Sequence, residues 1–128
     1  MNRVLVDSSV WIEYFQSETK HSDIDDLIDG NLLCTNDLIL AELLPFLYIE
    51  KENELIESLN SLEKVDIDIS WDIIVQMQIQ NIKNGINGVG IPDLIILQNV
   101  IENNLVLYSA DKHFRLMKKI FDFKLAGF

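Results

Sequence analysis

With 128 residues, 48% of them hydrophobic, the chain is long enough to bury one core, and residues 1–128 are expected to form a single domain. No run of eighteen apolar residues is present, so no membrane-spanning helix is expected, and the segment from Met1 reaches Asp7 too soon for a secretory signal, which points to a cytoplasmic protein. One cysteine (Cys34) and two histidines (His21, His113) exclude an internal disulfide and a structural zinc site, whereas 21 acidic against 10 basic residues, a net charge of −11, make hard oxygen ligands abundant.

Taken in order, Val4-Leu5-Val6 reads as a short strand, and Asp7-Ser8-Ser9 offers caps for a helix carrying Val10, Trp11, Ile12, Tyr14 and Phe15. Ser22 with Asp23, Asp25 and Asp26 starts a short helix that Gly30 can close. Leu32 to Thr35 is a second strand. Asn36 or Asp37 then caps a helix through Leu38, Ile39, Glu42 and Leu43, which Pro45 should kink or interrupt because it removes a backbone donor. A further helix is expected from about Lys51 to Leu62.

Val65-Asp66-Ile67-Asp68-Ile69 alternates strictly and predicts a half-exposed strand, after which Ser70 caps a long helix from Trp71 towards Lys83. Gly85, Gly88 and Gly90 mark the loop that follows. Pro92 suits the first turn of a helix whose Leu94, Ile95, Ile96, Leu97, Val100 and Ile101 are apolar nearly all round, predicting deep burial. Leu105 to Ser109 is a buried strand, a short basic helix begins near Lys112, and Phe121 to Leu125 can add an edge strand. Strands alternating with helices predict an α/β class: a three-layer α/β/α sandwich on a mainly parallel sheet.

A net charge of −11 argues against nucleic acid until it is mapped along the chain. From Asp111 to Phe128 five basic residues (Lys112, Arg115, Lys118, Lys119, Lys124) stand against Asp111 and Asp122, a local +3, so the preceding 110 residues carry −14. A basic tail beside an acidic body suits a site where bound cations and a positive patch together meet a polyanion; the plainer alternative is a solvated helix face.

Four acidic residues stand against apolar segments. Asp7 closes the first strand, Asp111 lies two residues past Ser109, Asp93 opens the apolar helix, and Glu42 sits in the Leu-rich stretch Leu38 to Leu44. In parallel sheets chemistry collects beyond the carboxyl ends of the strands, where Asp7 and Asp111 fall. Taken singly, each is as easily a helix cap, and Glu42 can simply turn to solvent. As a set they repel and lose hydration, a cost that Mg²⁺ or Mn²⁺ relieves, and two such ions about 4 Å apart can activate a water and stabilise the leaving oxygen in phosphodiester cleavage.

Four motifs in order resemble the PIN domains, in particular the VapC-type toxin ribonucleases of toxin–antitoxin pairs. They are Val4-Leu5-Val6-Asp7-Ser8-Ser9-Val10-Trp11-Ile12, Leu38-Ile39-Leu40-Ala41-Glu42-Leu43, Ile91-Pro92-Asp93-Leu94-Ile95-Ile96 and Leu107-Tyr108-Ser109-Ala110-Asp111-Lys112-His113-Phe114. The resemblance spans nearly the whole chain. It implies a PIN-like fold and a divalent-metal-dependent endoribonuclease, with Asp7, Glu42, Asp93 and Asp111 as catalytic metal ligands for Mg²⁺ or Mn²⁺ and Ser8 and Ser109 as hydroxyls that orient them. It also implies an RNA substrate, an antitoxin protein and a homodimer as partners, the last two received by the helices up to Leu62. The chain departs from the family at Leu97 and Val100, where small alanines are usual.

Two other readings compete. An α/β phosphatase with a nucleophilic Asp after its first strand typically has Asp-x-Asp, but Ser9 occupies the second position here. A non-catalytic module keeping the same fold is the other, against which all four acidic positions are filled. Trp11, Tyr14 and Phe15 could stack bases, but their helical spacing favours a core or partner surface. Leu44, Phe46, Leu47, Tyr48 and Ile49 form an apolar run that points the same way, His113 is expected at the surface or at most as a phosphate contact, and Cys34 in the core.

Overall fold

The computed structural model of the chain describes residues 2–16 and 22–127; His21 lies outside them, and the side chains of residues 22–25, including the expected cap at Ser22, are not described. In chain order the elements are β1 (Val4–Val6), α1 (Ser8–Gln16), α2 (Ser22–Asp29), β2 (Leu33–Thr35), α3 (Asp37–Ile49), α4 (Asn53–Asn60), β3 (Glu63–Lys64), α5 (Trp71–Lys83), α6 (Ile91–Glu102), β4 (Val106–Tyr108), α7 (Lys112–Met117) and β5 (Lys124–Ala126). The five strands form one sheet in the order β3-β2-β1-β4-β5, every pair parallel.

This order follows from the sequence pattern. β1 and β2 are buried at every residue, as strands covered on both faces must be, and so occupy interior positions. The exposed pair Glu63 and Lys64 lies at one edge, where charge discourages further pairing, and β5 forms the other. From β1 the chain steps outwards to β2 and β3, then jumps back across β1 to β4 and on to β5. Right-handed crossovers in opposite directions put α1 to α4 on one face and α5 to α7 on the other, giving the three layers. The packing agrees: α1 and α4 lie on α3, and α5 lies on α6.

The reversal of direction between β1 and β4 opens a crevice at their carboxyl ends. Val4, Leu5 and Val6 align with Val106, Leu107 and Tyr108, so Asp7 and Ser109 emerge side by side. Beneath them Leu5, Val6, Leu94, Leu97, Leu107 and Phe114 are buried. Truncating such a residue costs about 2–5 kcal/mol, so the elements carrying Asp7, Asp93 and Asp111 are firmly anchored. Leu97 and Val100, the departures from the family pattern, are both fully inside.

Three expectations need correction. Val65 to Ile69 is not a strand: pairing to β2 covers only Glu63 and Lys64, and after the Val65 N–H bonds to Thr35 the neighbouring chain turns into α3. Side chains of α6 serve these residues instead. Asn99 Nδ2 donates to the Asp66 carbonyl at 3.0 Å, Gln98 Nε2 to that of Asp68 at 3.2 Å, and Gln98 Oε1 accepts from the Ser70 N–H. The alternation of Val65 and Ile67 is that of an extended chain packed on the core without a ladder. Pro45 lies inside α3, which runs through it to Ile49 without interruption. The last strand is Lys124–Ala126, later than Phe121 to Leu125, because the chain turns after α7 and buries Phe123 first.

Candidate metal centre

Asp7 stands where β1 becomes α1. Its N–H bonds to the Tyr108 carbonyl at 2.9 Å, extending the β1–β4 ladder, while its own carbonyl accepts from Val10 and Trp11 to start the helix. Its carboxylate is therefore fixed by backbone on both sides, and the residue is only 5% exposed. Oδ1 accepts the Ser8 N–H at 2.9 Å; Oδ2 accepts the hydroxyls of Ser9 at 3.3 Å and Ser109 at 2.9 Å. These bonds favour the charged form, but burial outweighs them and, with a smaller push from Asp111, raises the Asp7 carboxyl above its ordinary range.

Ser109 does two things at once. Its buried hydroxyl donates to Asp7 and accepts the Asp111 N–H at 3.0 Å. Asp111 in turn caps α7, its Oδ1 receiving the His113 N–H at 2.8 Å. The expected cap and the expected ligand are thus the same residue. Asp93 enters from α6, whose first turn is set by Gly90 and Pro92. Burial first, then repulsion from Asp111 and Asp7, push its carboxyl up to about 6 despite the opposing influence of His113.

Glu42 reaches in from α3 and is the most exposed of the four. The helix starts at Asn36, fully buried, whose Oδ1 caps Ile39 at 2.9 Å and whose Nδ2 donates to Asn99 Oδ1 at 3.0 Å. Asn36 and Asn99 thereby tie the helices bearing Glu42 and Asp93 together. Partial burial, then repulsion from Asp7 and Asp93, raises the Glu42 carboxyl, with Ser8 Oγ, 3.5 Å away, opposing.

The four acidic residues singled out from the sequence therefore converge, from four elements, into mutual electrostatic reach. Of the two expected hydroxyls, Ser109 holds Asp7 directly, whereas Ser8 holds it through its N–H and turns its hydroxyl to Glu42. Ser9, read from the sequence only as a possible cap, also bonds to Asp7: as the second residue of α1, its hydroxyl reaches back two positions to the carboxylate. His113, expected at the surface, is partly exposed at 21%, and one ligand atom each from Asp93, Asp111 and His113 falls within 4.8 Å of the others.

The donor set fits a hard divalent cation. Carboxylates held above their ordinary range by burial and mutual repulsion lack the positive charge that would relieve both. Lys112, Arg115, Lys118, Lys119 and Lys124 are all exposed; Lys112 directly follows Asp111, whereas Lys124, paired with Val106, lies at the amino end of β4, away from the centre. On the opposite side an apolar groove of about 240 Å³, lined by Ile12, Phe15, Leu43, Phe46 and Leu47, runs up to Glu42. A second cavity of about 300 Å³ opens beside Trp11, Tyr14, Leu55, Leu59 and Leu62. Trp11 stacks on Phe15, with centroids 5.6 Å apart, and is buried, so its face is not offered to a base.

Comparison with known proteins places the chain in a family and its fold among solved structures. The PIN domain family model matches residues 4–120. Among solved structures, DNA-bound VapBC from Salmonella typhimurium superposes with a TM-score of 0.74 at 19% identity, covering 98% of this chain and 97% of that one. VapBC2 from Rickettsia felis, bound to a DNA fragment from its promoter, gives 0.70 at 18% identity, with 95% and 96% covered. FitAcB from Neisseria gonorrhoeae gives 0.69 at 15% identity, with 97% and 96% covered. No curated protein matches by sequence.

Proposed function

Because the chain belongs to the PIN domain family, we propose that it is a divalent-metal-dependent endoribonuclease, the toxin of a type II toxin–antitoxin pair. The observation that carries this reading is the convergence of Asp7, Glu42, Asp93 and Asp111 at the β1–β4 crevice, in a polar frame that fixes at least Asp7 and Asp111 before any ligand arrives. In this reading the four carboxylates hold Mg²⁺ or Mn²⁺. When bound, such cations supply Lewis acidity, an activated water and stabilisation of the leaving oxygen at a phosphodiester.

The protein's own residues do the rest. Ser109 and Ser9 keep the Asp7 carboxylate from rotating, and the Ser109 bond to the Asp111 N–H sets the distance between two acids that would otherwise move apart. Such pre-organisation is what makes an electrostatic site effective, since nothing has to reorient during reaction. The exposed Lys112 and Arg115, within four residues of Asp111 on α7, attract the RNA backbone towards a body otherwise rich in negative charge.

A protein partner is supported separately. Phe46, Tyr48 and Ile49 of α3 are 56%, 60% and 76% exposed; Phe46 lines the apolar groove and Ile49 lies one turn further along the same face. Among the described residues the buried indole N–H of Trp11 has no acceptor. We assign this surface to the antitoxin and to a second copy of the chain. The reading is tested by incubating the purified protein with total cellular RNA in Mg²⁺, Mn²⁺ or EDTA and mapping new ends. Cuts that require the metal support it; free phosphate without internal cuts would move the protein to the phosphatases.

A further inference from the structure

His113 is the one nitrogen ligand within reach of the carboxylate centre among the described residues, and its surroundings hold it there. Its N–H is bound to Asp111 Oδ1, so the start of α7 fixes where the ring begins. Gly88, at φ +79°, passes over the other side: a Cβ there would sit 3.8 Å from Nε2. The ring is thus confined between the Gly88 loop and Asp111, with Nδ1 on the acidic side.

At 3.5 Å from Asp111 Oδ1, Nδ1 is near but not hydrogen-bonded. What the three side chains share is a point between them: ligand atoms about 2.1 Å from one ion lie roughly 3 Å apart at right angles and about 4.2 Å apart across it, so a closure of about 1–2 Å from within 4.8 Å, by side-chain rotation as the ion enters, brings all three into coordination.

Resting on the reading of the four carboxylates as a metal centre, we propose that His113 is a nitrogen ligand of the cation held by Asp93 and Asp111. That makes this part of the centre a mixed nitrogen–oxygen site. Mg²⁺ strongly prefers oxygen and gives up its waters reluctantly, whereas imidazole is accepted increasingly along the first transition row. Mn²⁺ is therefore favoured over Mg²⁺ more strongly than four carboxylates alone would favour it.

The test is electron spin-echo spectroscopy of Mn²⁺ bound to the full chain, with free Mn²⁺ followed in the same samples. The wild type should show nitrogen modulation that His21→Ala keeps and His113→Ala loses. The Mn²⁺ affinity of His113→Ala should fall at least about tenfold, the loss that even outer-shell groups cause, with Mg²⁺ affinity changed less. His113→Gln, which retains bulk, serves if the alanine variant does not melt cooperatively. Bound Mn²⁺ without nitrogen modulation, or modulation persisting in His113→Ala, overturns the proposal and leaves the carboxylate centre standing. No Mn²⁺ binding by the wild type overturns both.

Discussion

Ser109 and Asp7, 102 residues apart in sequence, meet through a 2.9 Å hydrogen bond that joins the ends of the two central strands. The same serine oxygen receives the Asp111 N–H, so one buried hydroxyl orients two acids. Ser109→Ala should leave the fold intact, because the β4–β5 ladder bonds at Ser109 are backbone, yet weaken Mn²⁺ affinity and RNA cleavage by about 10–100-fold. Unchanged affinity and rate in that variant would remove Ser109 from the working parts of the site.

Asp93 provides a pH signature. Its carboxyl is raised from 3.8 in the unfolded chain to about 6 in the folded one, so the folded state binds this proton more tightly. The resulting stability is fully present below about pH 4 and is lost as pH rises through 6. The metal-free protein should therefore lose melting temperature between pH 5 and 7, and Asp93→Asn should flatten that slope. An identical slope in the variant contradicts the shift.

The same substitution should have opposite effects with and without metal. In EDTA at pH 8, Asp93→Asn removes a charge repelled by Asp7 and Asp111 and should raise the melting temperature. In Mn²⁺ the wild type gains stability by mass action and the variant gains less. Equal gains from Mn²⁺ would count against Asp93 as a ligand.

The link between α3 and α6 is tested at Asn99. Replacing it with Ala strands Asn36 Nδ2 and the Asp66 carbonyl, and should cost about 1–3 kcal/mol in chemical denaturation. A neutral result would mean that water replaces both bonds.

Asn99 also shows where the sequence stopped being legible. Apolar runs and caps located the central strands and the helices bearing the site, because burial on both faces and N-terminal hydroxyls leave local marks: Ser70 caps α5 as expected. The four acids were legible as a set for a similar reason, each being a charge against an apolar run. Val65 to Ile69 misled because alternation reports an extended chain on a core, not the presence of a partner strand. What replaced that partner, the amides of Gln98 and Asn99, lies some 30 residues away and leaves no local trace. The nearness of His113 to the Gly88 loop and to Asp93 leaves no local trace either, because only the tertiary fold brings them together.

The central claim is that the Asp7 carboxylate is part of a metal-dependent nuclease site, and the direct measurement is RNA cleavage by wild type and Asp7→Asn side by side, in Mn²⁺ and in EDTA, with the fold of both checked by circular dichroism. The account predicts internal cuts by the wild type in Mn²⁺ only, and for a folded Asp7→Asn a loss larger than the roughly 10–100-fold expected for an outer-shell group. A folded Asp7→Asn that cleaves at the wild-type rate, or wild-type cleavage undiminished in EDTA, would contradict it.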